Sequence, residues 1–98
     1  ASEIDCAVVA AIEADDHALI GKEVLCSDSL FERIRFEIRG TTHKSISRVL
    51  TEMGYQKVGQ RLLADKQRHI LWFHPEHINR GISPTMAINN RYEVHAEM

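Results

Sequence analysis

His43-Lys44-Ser45-Ile46-Ser47-Arg48-Val49-Leu50-Thr51-Glu52-Met53-Gly54-Tyr55 is the stretch whose reading decides the fold. Ile46, Val49, Leu50 and Met53 recur at i, i+3, i+4 and i+7, the apolar stripe of an amphipathic helix. Gly54 stands where a left-handed residue would close that helix. The face opposite the stripe carries Lys44, Arg48 and Thr51, with Ser47 and Glu52 at its flanks. The preceding Arg39-Gly40-Thr41-Thr42 supplies a glycine stop for one helix and a threonine cap for the next.

Working outward, two apolar-rich runs follow Gly54, at 58–64 and 70–73, separated by the polar Asp65-Lys66-Gln67-Arg68-His69. Branched and aromatic residues on both sides of a polar break predict a β-hairpin. The break lacks Asn-Gly or Asp-Gly, so a longer, less regular loop is expected there. Pro75 ends the second strand, because proline has no N–H for the ladder. On the N-terminal side, Leu30, Phe31, Ile34 and Ile38 predict a helix, with Ser27 as its N-cap and Asp28 in its first turn. Phe36 falls outside that stripe. Residues 22–26 read as a short extended segment. Ile4, Ala7, Val8, Ala11 and Ile12 predict a first helix, capped by Ser2 with Asp5 three residues on and ended by Asp15-Asp16-His17. Ala18-Leu19-Ile20-Gly21 reads as a turn packed on the core.

The order of elements predicts an α+β winged helix-turn-helix: three helices, a short strand and a C-terminal β-hairpin wing over residues 1–76. Helices and hairpin suffice to enclose one core, so no third layer is required. Residues 77–98 have no firm period and read as an extension, either disordered, packed on the domain or engaged in assembly.

The chain has 98 residues, 44% of them hydrophobic, enough for one modest core. No run approaches the roughly 20 apolar residues of a membrane span. Ala1-Ser2-Glu3 opens no signal peptide, and a cytoplasmic protein is expected. Cys6 and Cys26 make no disulfide framework, and both read as small buried thiols. The net charge of −2 hides an asymmetry. Residues 1–32 carry eight acids against Lys22 alone, whereas residues 33–80 carry ten Lys or Arg against four acids. Such a basic half is a candidate phosphate footprint.

The run from His43 to Tyr55, continued by Gln56-Lys57-Val58 and ending on Leu71-Trp72-Phe73, resembles the small winged helix modules at the C-terminal ends of phage and plasmid primase-helicases, including the virulence-associated E group and a related poxvirus group. Leu50, Met53, Gly54, Tyr55 and Trp72 match the cadence, with Met53 where leucine is usual. The resemblance covers residues 3–74 and implies nucleic-acid engagement or docking to replication partners. It does not account for the acidic first helix or for the chain after Pro75.

A recognition helix in the major groove would read base edges with Lys44, Arg48, Ser47 and Thr51; a guanidinium such as that of Arg48 matches guanine bidentately. Arg39, Thr42, Ser45, Lys57, Arg61, Lys66, Arg68 and His69 are the candidate phosphate contacts, the last three in the wing at 65–69. Of Arg33 and Arg35, two apart, at most one would contact nucleic acid. His74-Pro75-Glu76-His77 is the most metal-like cluster, yet it offers too few ligands for zinc. No metal or other cofactor is expected. Phosphate-loop, nucleophile-elbow and HExxH motifs are absent from the sequence, and an enzyme is not expected. Double-stranded DNA is thus the expected partner, for an accessory domain of a replication protein or a small regulator. The alternative is a winged helix that docks proteins. A single-strand or RNA binder would want aromatic platforms, whereas Tyr55, Phe36 and Trp72 read as core. A homodimer through the first helix or the tail is left open.

Overall fold

The computed structural model describes residues 3–14, 20–64, 66–77 and 81–91. In chain order it contains α1 (Glu3–Glu13), β1 (Val24–Cys26), α2 (Ser27–Arg35), α3 (His43–Glu52), β2 (Gln56–Leu62), β3 (Arg68–Phe73), a 3-10 turn (Pro75–His77) and α4 (Pro84–Arg91). The fold is α+β, with helices packed on a small antiparallel sheet of order β1-β3-β2, consistent in general terms with a winged-helix-like arrangement. No helix among the described residues is long and apolar enough to cross a membrane.

The central strand organises the packing through its alternation. Ile70 and Trp72 join the helical side, where Val8, Ile12, Leu30, Ile34, Ile46, Val49, Leu50 and Tyr55 form the main core. Leu71 and Phe73 point the other way, into a second cluster with Val24, Cys26, Leu63, Ala87 and Ile88. The second cluster is a departure from the two-layer expectation. Ala87 and Ile88 of α4 are buried, so the hairpin is followed by a helix that covers the outer face of the sheet. The apolar outer side chains of β1 and β3 explain it, since they would otherwise face water.

Local chemistry sets the ends of α3. Thr42 is its N-cap, its hydroxyl accepting from Ser45 N at 3.1 Å while Ser45 Oγ accepts from Thr42 N at 3.0 Å. At the other end Gly54 N–H donates to Thr51 O (3.1 Å) and Tyr55 N–H to Leu50 O (2.9 Å), a Schellman closure that requires a left-handed residue at position 54. Gly54 has φ 92°. Tyr55 is buried there, its hydroxyl donating to Lys22 O at 2.9 Å. Burial, assisted by Glu13, pushes its phenol up to about 12.

Several expectations are corrected. Cys26, in extended conformation, occupies the cap position of α2, and Ser27 is its first helical residue. Because β1 runs straight into α2, the Ser27 hydroxyl faces β3 and donates to Ile70 O at 3.5 Å. Helix α2 stops at Arg35, so Ile38 packs from the following turn; Phe36, outside the stripe, is 78% exposed. Cys6 is exposed rather than buried: two residues on from Ile4, it lies ~200° around the helix. The hairpin loop is tight, with Lys66 N–H donating to Leu63 O (2.9 Å) and Leu63 N–H to Gln67 O (3.1 Å). Lys66, at φ 65°, takes the conformation usually given to Gly or Asn. Arg68 and His69 therefore belong to β3 and not to the loop. The expected cap at Ser2, the helix end at Asp15-Asp16-His17, the turn at Ala18-Leu19, Asp65 of the loop, residues 78–80 and the tail at 92–98 lie outside the described residues.

A Cβ at Gly54 would stand 3.0 Å from His74 Nε2, whereas one at Gly40 (φ 80°) would meet nothing within 4 Å. Alanine at Gly40 should cost about 1–2 kcal/mol from the left-handed backbone alone. Alanine at Gly54 should cost about 1 kcal/mol or more beyond that, from crowding of a packed neighbour. Urea unfolding of the two variants checks the difference; equal losses would contradict the packing described.

Candidate nucleic-acid interface

Helix α3 turns Ile46, Val49 and Leu50 inward and leaves Lys44, Arg48 and Thr51 exposed, with Ser47 half-exposed. At about 100° per residue these four share one face. Among the described residues neither Lys44 nor Arg48 forms an ion pair, so both charges point to solvent without an internal task. The hydroxyls differ. Thr51 Oγ1 donates to Ser47 O at 2.9 Å, a back-bond that ties it to its own helix. The Thr42 and Ser45 hydroxyls are committed to the cap, where Ser45 Oγ also donates to Thr42 O at 2.8 Å.

The hairpin divides the remaining candidates between two faces. Directly opposed residues of an antiparallel pair share a face. Lys57 opposes Trp72, and Arg68 lies two and four residues from Ile70 and Trp72, so both belong to the side that meets the helices. Arg61 opposes His69, on the side of Leu71 and α4. Arg61 donates from Nη1 to Gln60 O at 2.9 Å. Lys66 is exposed in the turn, and Arg39 is exposed in the bend before α3. The eight candidate phosphate contacts thus do not form one surface.

His69 has a different neighbourhood from a phosphate contact. Its Nδ1 lies 3.5 Å from Cys26 Sγ, and Asp28, whose Oδ2 accepts from Ile70 N at 3.2 Å, completes a Cys26–Asp28–His69 cluster. Burial pushes the Cys26 thiol up, while the amides of Ser29 and Asp28 and the Ser29 hydroxyl act the other way. Residues 26 and 69 are 43 positions apart, so no local motif marks them. The sequence instead drew attention to His74 and His77. His74 is buried, its Nε2–H donates to Met53 O at 2.8 Å, and its Nδ1 accepts from Glu76 N at 3.2 Å. Both ring nitrogens are engaged, and the ring serves as a clamp on the end of α3.

A second group lies at the junction of α2 and α3. The Phe31 and His43 rings stack at 3.9 Å with 23° between planes. The Arg35 guanidinium lies 4.9 Å from the centre of the exposed Phe36 ring and pairs with Glu32 at 3.1 Å. Phe36, read from sequence as core, is instead a surface aromatic: two residues on from the buried Ile34, it stands about 200° round from the inward stripe.

Comparison with protein-family models, with curated proteins and with solved structures finds no match for this chain.

The cap and the outward face separate by their effect on stability. Thr42→Ala should cost about 1 kcal/mol, the usual loss for a removed N-cap. Lys44→Ala and Arg48→Ala should each stay within about 0.5 kcal/mol of the parent. Chemical denaturation measures all three; a large loss at Arg48 would assign it a structural role.

Proposed function

We propose that the chain is a winged helix-turn-helix module that binds double-stranded DNA, with α3 as its recognition helix and the β2–β3 hairpin as its wing. The observation that carries this reading is the outward face of α3, where Lys44 and Arg48 are exposed and engaged in no ion pair among the described residues. In the major groove Arg48 is suited to a bidentate contact with guanine, and Lys44 to a base edge or a phosphate. Ser47 is the remaining candidate for a base contact, with Thr51 secondary because its hydroxyl proton is used within the helix. Arg39, Lys57, Lys66 and Arg68 are the proposed phosphate contacts, which position the module without reading sequence. Helix α1, acidic in its first turn, is left on the side away from DNA. The module acts without catalysis, as an accessory domain of a replication protein or as a small regulator, and a palindromic target would require it to dimerise.

One observation favours a second reading, protein docking. Phe36 is 78% exposed against Arg35, whose guanidinium also lies over the Phe31 ring, an aromatic and arginine group of the kind enriched at protein interfaces.

Labelled duplex and single-stranded DNA titrated with the chain at two salt concentrations test the proposal. Duplex binding should weaken as salt rises, each lost phosphate contact lowering the log–log slope by about 0.9. Arg48→Ala should cost about 1–3 kcal/mol, and the pair Lys44→Ala/Arg48→Ala should remove most of the binding. A folded chain that binds no duplex at low salt would overturn the reading in favour of docking.

A further inference from the structure

We propose that Cys26, Asp28 and His69 form a binding site for a divalent metal ion of the zinc class, which fastens the N-terminal end of α2 to strand β3. One ligand atom from each residue lies within 4.8 Å of the other two. The spacing fits coordination. Zn–S near 2.3 Å and Zn–N near 2.05 Å at a tetrahedral angle place sulfur and nitrogen ~3.6 Å apart, and Cys26 Sγ and His69 Nδ1 are 3.5 Å apart. Those two side chains therefore already span one edge of the tetrahedron.

The donor set selects the metal. A thiolate, an imidazole and a carboxylate suit zinc, whereas magnesium and calcium want oxygen alone. The surroundings act as an outer shell. Asp28 Oδ2 accepts the Ile70 N–H, which holds the carboxylate as outer-shell hydrogen bonds hold metal-binding carboxylates. Cys26 occupies the cap position of α2, which places its side chain and that of Asp28 at the same end of the helix. Coordination would displace the thiol proton. Three protein ligands leave a fourth position. Asp28 and His69 also line an open cleft of about 410 Å³ with Glu32, Arg33 and Gln67, so a water molecule can fill it.

The consequence is mechanical. Positions 26 and 69 are 43 residues apart in the chain and already lie beside the β1–β3 pairing and the α2 bonds to Ile70, so a bound ion adds a side-chain link to those backbone ones and steadies the turn end of the hairpin against α2. None of the three ligands lies on α3, and although His69 belongs to the hairpin proposed as the wing, a metal titration reads the site without DNA.

Cobalt(II), then zinc(II), titrated into the chelator-treated full chain tests the site. One equivalent of cobalt should produce a thiolate-to-metal charge-transfer band with the strong visible absorption of tetrahedral cobalt. Zinc should abolish both and raise the Tm. Cys6→Ser should give the same spectrum, and Cys26→Ser should lose the charge-transfer band. His69→Gln, half-buried and with its fold checked by circular dichroism, should weaken binding at least about tenfold, the loss that even an outer-shell change produces. No charge-transfer band in the parent, a band that survives Cys26→Ser or disappears in Cys6→Ser, or parent-like affinity in His69→Gln would overturn the proposal. Should Cys26→Ser fail to fold, the Cys6 and His69 variants decide it by the same criteria.

Discussion

Strand β3 carries the constraint on which the rest depends. It is the middle strand, bonded on one edge to β2 and on the other to β1. Where β1 ends at Cys26, opposite Leu71, the first turn of α2 takes over that edge: Asp28 accepts from Ile70 N and Ser27 donates to Ile70 O. Buried backbone groups need such partners, and an unmade bond costs more than a made one returns. The alternation of the strand then divides its apolar side chains between two cores, Ile70 and Trp72 below the helices, Leu71 and Phe73 below α4. Truncating one fully buried side chain of this kind costs about 2–5 kcal/mol, a large part of the stability of a domain this size.

That frame determines what α3 can present. The helix is fixed at its start by the Thr42–Ser45 box and at its end by Gly54, Tyr55 and the His74 ring, which reaches from beyond β3 to accept the task of satisfying Met53 O. Its inner stripe is consumed by the core, and its hydroxyls are largely consumed by the helix itself. The charged chemistry of the outer face is Lys44 and Arg48, two long cations on neighbouring turns, beside the Ser47 hydroxyl. A rigid helix carrying mobile charges at its surface is suited to a charged, grooved partner, because the positions are held while the side chains adapt.

The legible parts of the sequence were those whose signal is local. The stripe of α3, the glycine after it and the paired apolar runs of the hairpin each state their structure within a dozen residues. The start of α2 misleads because Ser27 resembles a cap in isolation, yet β1 abuts the helix and turns that hydroxyl toward Ile70. Helix α4 was not legible, since among its described side chains only Ala87 and Ile88 are buried and two such residues make no period. His69 looked like part of a solvated loop because Lys66 hides a tight turn in a sequence without glycine. The proximity of His69 to Cys26 depends on the pairing of strands far apart in the chain, and no spacing rule reports it. The His74–His77 pair shows the converse: an apparent ligand motif resolved by the hydrogen bonds that its buried member makes.

The claim that the outward face of α3 is the contact surface is tested most directly by amide NMR spectra of the chain with and without duplex DNA. The account predicts that the largest shifts fall on Lys44, Ser47, Arg48 and Thr51, with smaller ones at Lys57, Lys66 and Arg68 and none in α4. Shifts confined to Phe31, Phe36 and His43, or to α1, with α3 from Lys44 to Thr51 unmoved, would contradict it.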